Sequence, residues 1–261
     1  MLASLAVAAT TAAARPARPR TQDLVLHEVH TSTDRDGVDT IVTYVTLERV
    51  RVSQATGDAI LDTTRDRLVF LDRAARTFRS TALSDWESHL EASLDSSRAR
   101  SQASNEGPSP GVGFEPMGPA GRIAELEADR YHLFTRRELF PGEVDFVEQE
   151  ICVARQFDFP EGAYRTYLRT LEAMEGVGLA GPARRPPGLV LRVETRTRPA
   201  GAERGAGDEF ERTEVVRVER RPLQQSLFEI PAGFARADSA DAVQAGDGMK
   251  RAVEDSSRGR P

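Results

Sequence analysis

Leu189-Val190-Leu191-Arg192-Val193-Glu194-Thr195-Arg196-Thr197-Arg198 is the stretch on which the fold turns. Leu189, Leu191 and Val193 alternate with Arg192, Glu194, Arg196 and Arg198, the period of two that gives a strand one core face and one wet face. Downstream, Phe210 to Arg220 repeats the style more weakly, so Pro199 to Asp208 reads as the loop of a long hairpin. Upstream, Gly176 to Gly188 is rich in Gly and Pro and reads as a loop. Before that loop the period changes. Pro160-Glu161 suits a first helical turn, Tyr164, Leu168 and Leu171 with Tyr167 and Met174 form a wide apolar stripe, and Glu175-Gly176 is a stop.

Further outward, Ile123 to Phe134 and Val144 to Phe157 read as two strands joined by a turn at Phe140-Pro141-Gly142-Glu143. Ser96 to Gly121, with Gly107-Pro108-Ser109-Pro110-Gly111, sustains neither period and reads as a mobile loop or flap. Its Gly111-Val112-Gly113-Phe114 lacks the preceding strand and the following Lys-bearing helix of a phosphate loop. Ser84-Asp85-Trp86-Glu87 matches a capping box. Trp86, Leu90 and Leu94 follow at every fourth position, with Leu83 one turn earlier, so this helix must lie on something apolar.

Nearer the N-terminus, Leu24 to His30 reads as a first strand and Asp34-Arg35-Asp36-Gly37 as a turn. Thr40 to Ser53 reads as one long continuous strand, and Leu68 to Leu71 with Arg76-Thr77-Phe78 as a hairpin. No repeat of fixed period is present. The order is strands, helix, loop, two strands, helix, two strands. It predicts an α+β fold, an antiparallel sheet with helices gathered on one face rather than alternating βαβ units.

The chain has 261 residues, 39% of them hydrophobic and 29% charged, which suits one main domain with polar ends and excludes disorder along the whole length. A formal charge of -6 supplies no net attraction to nucleic acid. No run approaches the roughly 18 uncharged apolar residues of a membrane-spanning helix, so the mature chain is expected to be soluble. Met1 to Ala14 contains a short apolar stretch and ends on three alanines, like an export signal without its basic start. Residues 15–22 then read as a flexible leader, and residues 236–261, beyond the domain, as a disordered tail. Cys152 is the single cysteine, which rules out an internal disulfide and a cysteine-based zinc site. Glu148 and Glu150 nearby would raise its pKa, so a packed thiol is expected rather than a reactive one.

The motifs of chemistry are missing. His27 and His30 differ by an odd number within one strand and point to opposite faces, and with His89 and His132 they read as scattered histidines. No Gly-x-Ser-x-Gly occurs, and Glu125, Glu127 and Asp129 alternate like a solvated strand face. The expectation is a protein that is not an enzyme and uses no metal or cofactor.

Phe228-Glu229-Ile230-Pro231-Ala232-Gly233-Phe234 resembles the closing motif of an exported bacterial family of unknown function with a lipoprotein-carrier-like (LolA/LolB-like) domain. Three further pieces agree in order: Leu68 to Asp72 with Arg76-Thr77-Phe78, Ile123-Ala124 through Arg130-Tyr131, and Glu150-Ile151-Cys152-Val153-Ala154. Glu125 stands where that family has a small residue, often Gly, and Cys152 where an aromatic is common. The resemblance spans about residues 23–235. It implies a LolA-like, curved, incompletely closed half-barrel whose concave face is covered by helices around an apolar cavity, and it brings no catalytic residues.

Such a cavity suits an acyl chain, because each buried methylene is worth about 0.8 kcal/mol and a long chain resists crossing water unshielded. Trp86, Leu90, Leu94, Tyr164, Leu168 and Leu171 are the candidate lining, and the loop from Ser96 to Gly121 the candidate lid. The expected protein is a monomeric, periplasmic or otherwise extracytoplasmic carrier of a lipid or lipidated protein, in peripheral contact with the membrane or an envelope protein. The alternative is an envelope sensor or scaffold that binds another protein through its curved sheet.

Overall fold

Apolar residues in facing rows build this molecule strand by strand. The structure, a computed structural model, describes residues 22–33, 37–89, 91–92, 114–140, 143–174, 186–199 and 208–237. Six strands come first: β1 (Leu24–Ser32), β2 (Val38–Val45), β3 (Arg49–Ser53), β4 (Gly57–Asp62), β5 (Arg67–Asp72) and β6 (Thr77–Ala82). After a short helix, α1 (residues 83–89), come β7 (Glu115–Ile123), β8 (Leu126–Phe140) and β9 (Glu143–Ala154). Helix α2 (Glu161–Met174) precedes β10 (Val190–Pro199), β11 (Glu209–Arg220), a 3-10 turn (Gln225–Phe228) and β12 (Ala235–Arg236). The strands form one twelve-stranded sheet in the order β12-β6-β5-β4-β3-β2-β1-β11-β10-β9-β8-β7. The pairing is antiparallel except where β12 runs parallel to β6.

The register shows why these residues pair. Leu24, Val45, Val50, Leu61 and Leu68 lie directly opposite one another across five strands, and all are buried. On the same face Leu26, Thr43, Val52, Ala59 and Phe70 make the next row. A slipped register would turn both rows to water, at roughly 1.5–3 kcal/mol for each large side chain. Helix α2 lies on this face, with Ala163 and Tyr164 in the same core. Its first turn is docked tightly: the Ala163 amide donates to the Leu47 carbonyl at 2.9 Å, and a Cβ on Gly162 would sit 2.4 Å from that oxygen.

The opposite face of the first half is covered by residues 223–234, in the C-terminal segment of the described residues. Ile60, Val69, Leu71 and Phe228 form a second buried cluster, with Leu223, Ile230 and Phe234 packed against it. Arg51 donates to the Leu227 carbonyl at 2.5 Å, Arg65 pairs with Glu229 at 2.9 Å, and the Arg49 guanidinium lies 5.8 Å from the centre of the Phe228 ring. The backbone then runs beside β6, where Ala235 and Ala237 donate to Arg76 and Phe78.

The expected α+β class, with helices covering one face of a curved sheet, is overturned: the fold is dominated by one large mixed sheet, and its two described helices do not cover it. Three local causes hid the strands. Residues 115–121, expected within the flap, belong to edge strand β7, where Pro116 and Pro119 are tolerated because an edge has a free side. Gly118 and Gly121 take left-handed φ values of 89° and 82° beside two register shifts, as bulges that need glycine. The continuous strand expected over Thr40 to Ser53 is two, because Thr46 Oγ1 accepts the Arg49 amide at 2.9 Å and folds the chain back. Ala235 and Arg236, on either side of the expected start of the tail, are paired in β12.

The expected capping box is also absent. Ser84 lies inside α1, and its amide and hydroxyl both donate to Asp66 instead. The expected export signal, residues 96–113 of the flap and residues 238–261 lie outside the described residues.

Candidate functional site

The apolar space expected to hold a ligand lies between α2 and strands β3 to β5. Tyr164 is buried there, edge-on to Phe159 at 5.4 Å and 85°, and tilted against Tyr167 at 6.0 Å. Trp86, from α1, is buried against Phe70 at 5.8 Å. Leu168 is half-buried between two core clusters, and Leu171 borders the remaining void. Four of the six predicted lining residues are thus placed around one core, and Leu90 and Leu94 lie outside the described residues. The void between Leu171, Tyr167, Val52 and Phe70 measures about 30 Å³. Ligand pockets of drug size run from roughly 300 Å³ upward.

Buried polar groups stand in this core: the Trp86 indole N–H has no hydrogen-bond partner among the described residues, and Thr43, 1% exposed, lies beside the Glu28 carboxyl. Glu28, half-buried, shares the helix-side face with Leu24 and Leu26 by strict alternation along β1. Desolvation pushes its carboxyl up to about 7, with Thr43 opposing. The alternation of Leu24, Leu26 and Glu28 was the available signal, since position 28 falls on the apolar face.

The reverse face of β8 to β11 is a charge lattice. Arg130, Cys152, Arg192 and Glu214 form one row across four strands, and His132, Glu150, Glu194 and Arg212 form the next. Cys152 is buried, and desolvation raises its thiol pKa against the opposing charge of Arg192, so the thiol is packed and unreactive in character. The histidines are dispersed: His27 meets Glu219 at 3.1 Å, His30 meets Thr213 at 3.0 Å, His132 meets Glu148 at 3.0 Å, and His89 is exposed. Among the described residues no three metal-ligating side chains converge. On the C-terminal segment's side, burial opposes ionisation of Asp58, yet hydrogen bonds from Arg73 and Ser53 and the charge of Arg51 hold its carboxyl below the usual range. That carboxylate ties β3, β4 and the turn after β5 together, and is bonded as a structural group.

No family model matches the chain, and no curated protein matches it. A solved structure described as "Structure of PNGF-II in C2 space group" is similar over 88% of this chain and 33% of that one, at 11% identity and a TM-score of 0.39. The chain spans a third of that structure's length, and a likeness this loose carries no argument about activity. Among the described residues the geometry defines a class only: a sheet-built protein with a small apolar void under α2 and a patterned charged face behind it.

Proposed function

We propose that the protein is a non-enzymatic extracytoplasmic binding protein, working as an envelope sensor or scaffold that engages another protein through its sheet. The observation that carries this reading is the filling of the core by its own aromatic groups. Trp86 and Tyr164 are buried in the core beneath the helices, and among the described residues the void between α2 and strands β3 to β5 measures about 30 Å³. An acyl chain of about sixteen carbons, each methylene worth about 0.8 kcal/mol when buried, needs far more room than that to repay its entry.

Lipid carriage, which the LolA-like resemblance suggests, stands second. It is favoured by the apolar walls of the small void and by the unpartnered indole N–H of Trp86, which a bound headgroup or ester oxygen would satisfy once α2 lifts. Native mass spectrometry of the protein purified from its own envelope separates the two. A complex with a second polypeptide and no lipid adduct is the expected outcome. A stoichiometric lipid adduct overturns the scaffold reading in favour of carriage.

A further inference from the structure

The charge lattice behind the sheet changes character toward one end. Beyond its two rows of arginines and carboxylates comes a third, Phe134, Glu148, Arg196 and Phe210, and then Phe146 opposite Arg198. In the first two rows each arginine has a carboxylate: Arg130 and Arg192 share Glu150, and Arg212 meets Glu194. Arg196 and Arg198 have aromatic rings instead. Arg196 lies 5.6 Å from the centre of the Phe210 ring, and Arg198 lies 5.6 Å from that of Phe146, which stacks on Phe134 at 5.7 Å and 14°. Among the described residues neither guanidinium has an ion pair or hydrogen bond. Glu148, the cross-strand neighbour of Arg196, takes His132.

A guanidinium resting on a ring keeps its N–H edges free and its plane fixed, so little freedom is lost when it grips an oxyanion. Two such groups two residues apart on one strand face are about 7 Å apart along the backbone. That span suits a tetrahedral dianion, which offers separate oxygens to separate forks, better than a planar carboxylate. Beside them is an open hollow of about 340 Å³ lined by Arg196, Phe210 and Asp208.

We infer that Arg196 and Arg198 form a phosphate-binding site, taking a phosphate ester whose apolar remainder lies in the hollow against Phe210. The inference does not depend on the scaffold reading, since the site is behind the sheet and leaves the core closed.

Calorimetry of the full chain at low salt, with inorganic phosphate and with phenyl phosphate as probes, tests it. One saturable site is expected, tighter for phenyl phosphate. The variants Arg196→Lys and Arg198→Lys keep the charge but lose the fork, and each is expected to weaken binding by about tenfold or more. Arg165→Gln, which removes an exposed guanidinium from α2, is expected to bind as the parent. Unchanged circular dichroism melting of each variant separates lost binding from lost fold. Flotation with phosphatidylcholine vesicles, with and without phosphatidic acid, assigns the source: flotation that needs the acid and both arginines marks a lipid headgroup, and its absence beside phenyl phosphate binding marks a soluble ester. No saturable binding to any probe, or lysine variants that bind as the parent, overturns the site.

Discussion

At the scale of single residues, Glu28 has the largest consequence. Its carboxyl is held at about 7 in the folded chain by desolvation among Leu26, Thr43 and Val215, against an ordinary value of 4.5. A carboxyl raised on folding favours the folded state while it is protonated. Its contribution is therefore fully present below about pH 4.5 and is lost as pH rises through about 7, to a total of up to about 3 kcal/mol. Asp58 and Asp62, whose carboxyls are held low, lose their contribution only in acid and leave this window clear. Urea unfolding midpoints at pH 5 and pH 8 are expected to fall between the two for the parent chain. In Glu28→Gln they are expected to move much less, with the variant the more stable protein at pH 8. Parallel shifts in both proteins mean that Glu28 is charged and solvated after all.

At the scale of elements, the β7–β8 hairpin joins what the sequence made legible to what it concealed. Ile123 pairs with Leu126, leaving a two-residue loop in which Ala124 and Glu125 have φ of 46° and 66°. Left-handed values at both positions make a type I′ turn, which favours Asn-Gly. The small residue expected at position 125 thus has a backbone cause, and this chain tolerates a glutamate there under strain. The Arg122 side chain donates to the Glu125 carbonyl, which any residue provides. Replacing Ala124 by Asn and Glu125 by Gly together is expected to stabilise the protein by about 1–2 kcal/mol, or roughly 2–8 °C in Tm by calorimetry. An unchanged or lower Tm removes the strain argument. Strands with clean alternation, such as β10, were readable because their pattern is local. β7 was not, because its strand character comes from pairing with β8 while its own residues are those of a loop. The stripe of Tyr164, Leu168 and Leu171 on α2 was readable for the same local reason. Whether the space beneath it is open was not, because filling depends on Trp86 and Phe70, brought there from distant parts of the chain.

At the scale of the whole molecule, a sheet this large has two faces to dry, and the described helices dry only part of one. The segment from Phe228 to Phe234, which resembles a closing motif in the sequence, performs the second task. Phe228 is 1% exposed, inserted between Ile60, Val69 and Leu71, while Arg51, Arg65 and Arg67 hold the backbone and Glu229 around it. The ion pair of Arg65 with Glu229 is partly exposed, so the ring and not the charge fixes the segment. Phe228→Ala is expected to cost about 3–5 kcal/mol in denaturant unfolding, because the cavity opens under a segment that cannot collapse into it. Glu229→Gln is expected to cost less than about 1 kcal/mol. Hydrogen exchange supplies the decisive contrast. In the Phe228 variant the amides of Ala235 and Ala237, which bond to Arg76 and Phe78, are expected to exchange faster at a denaturant level where those of α2 keep their protection. Equal acceleration in both places would mean that the two faces unfold as one unit and that the C-terminal segment is no separate cover.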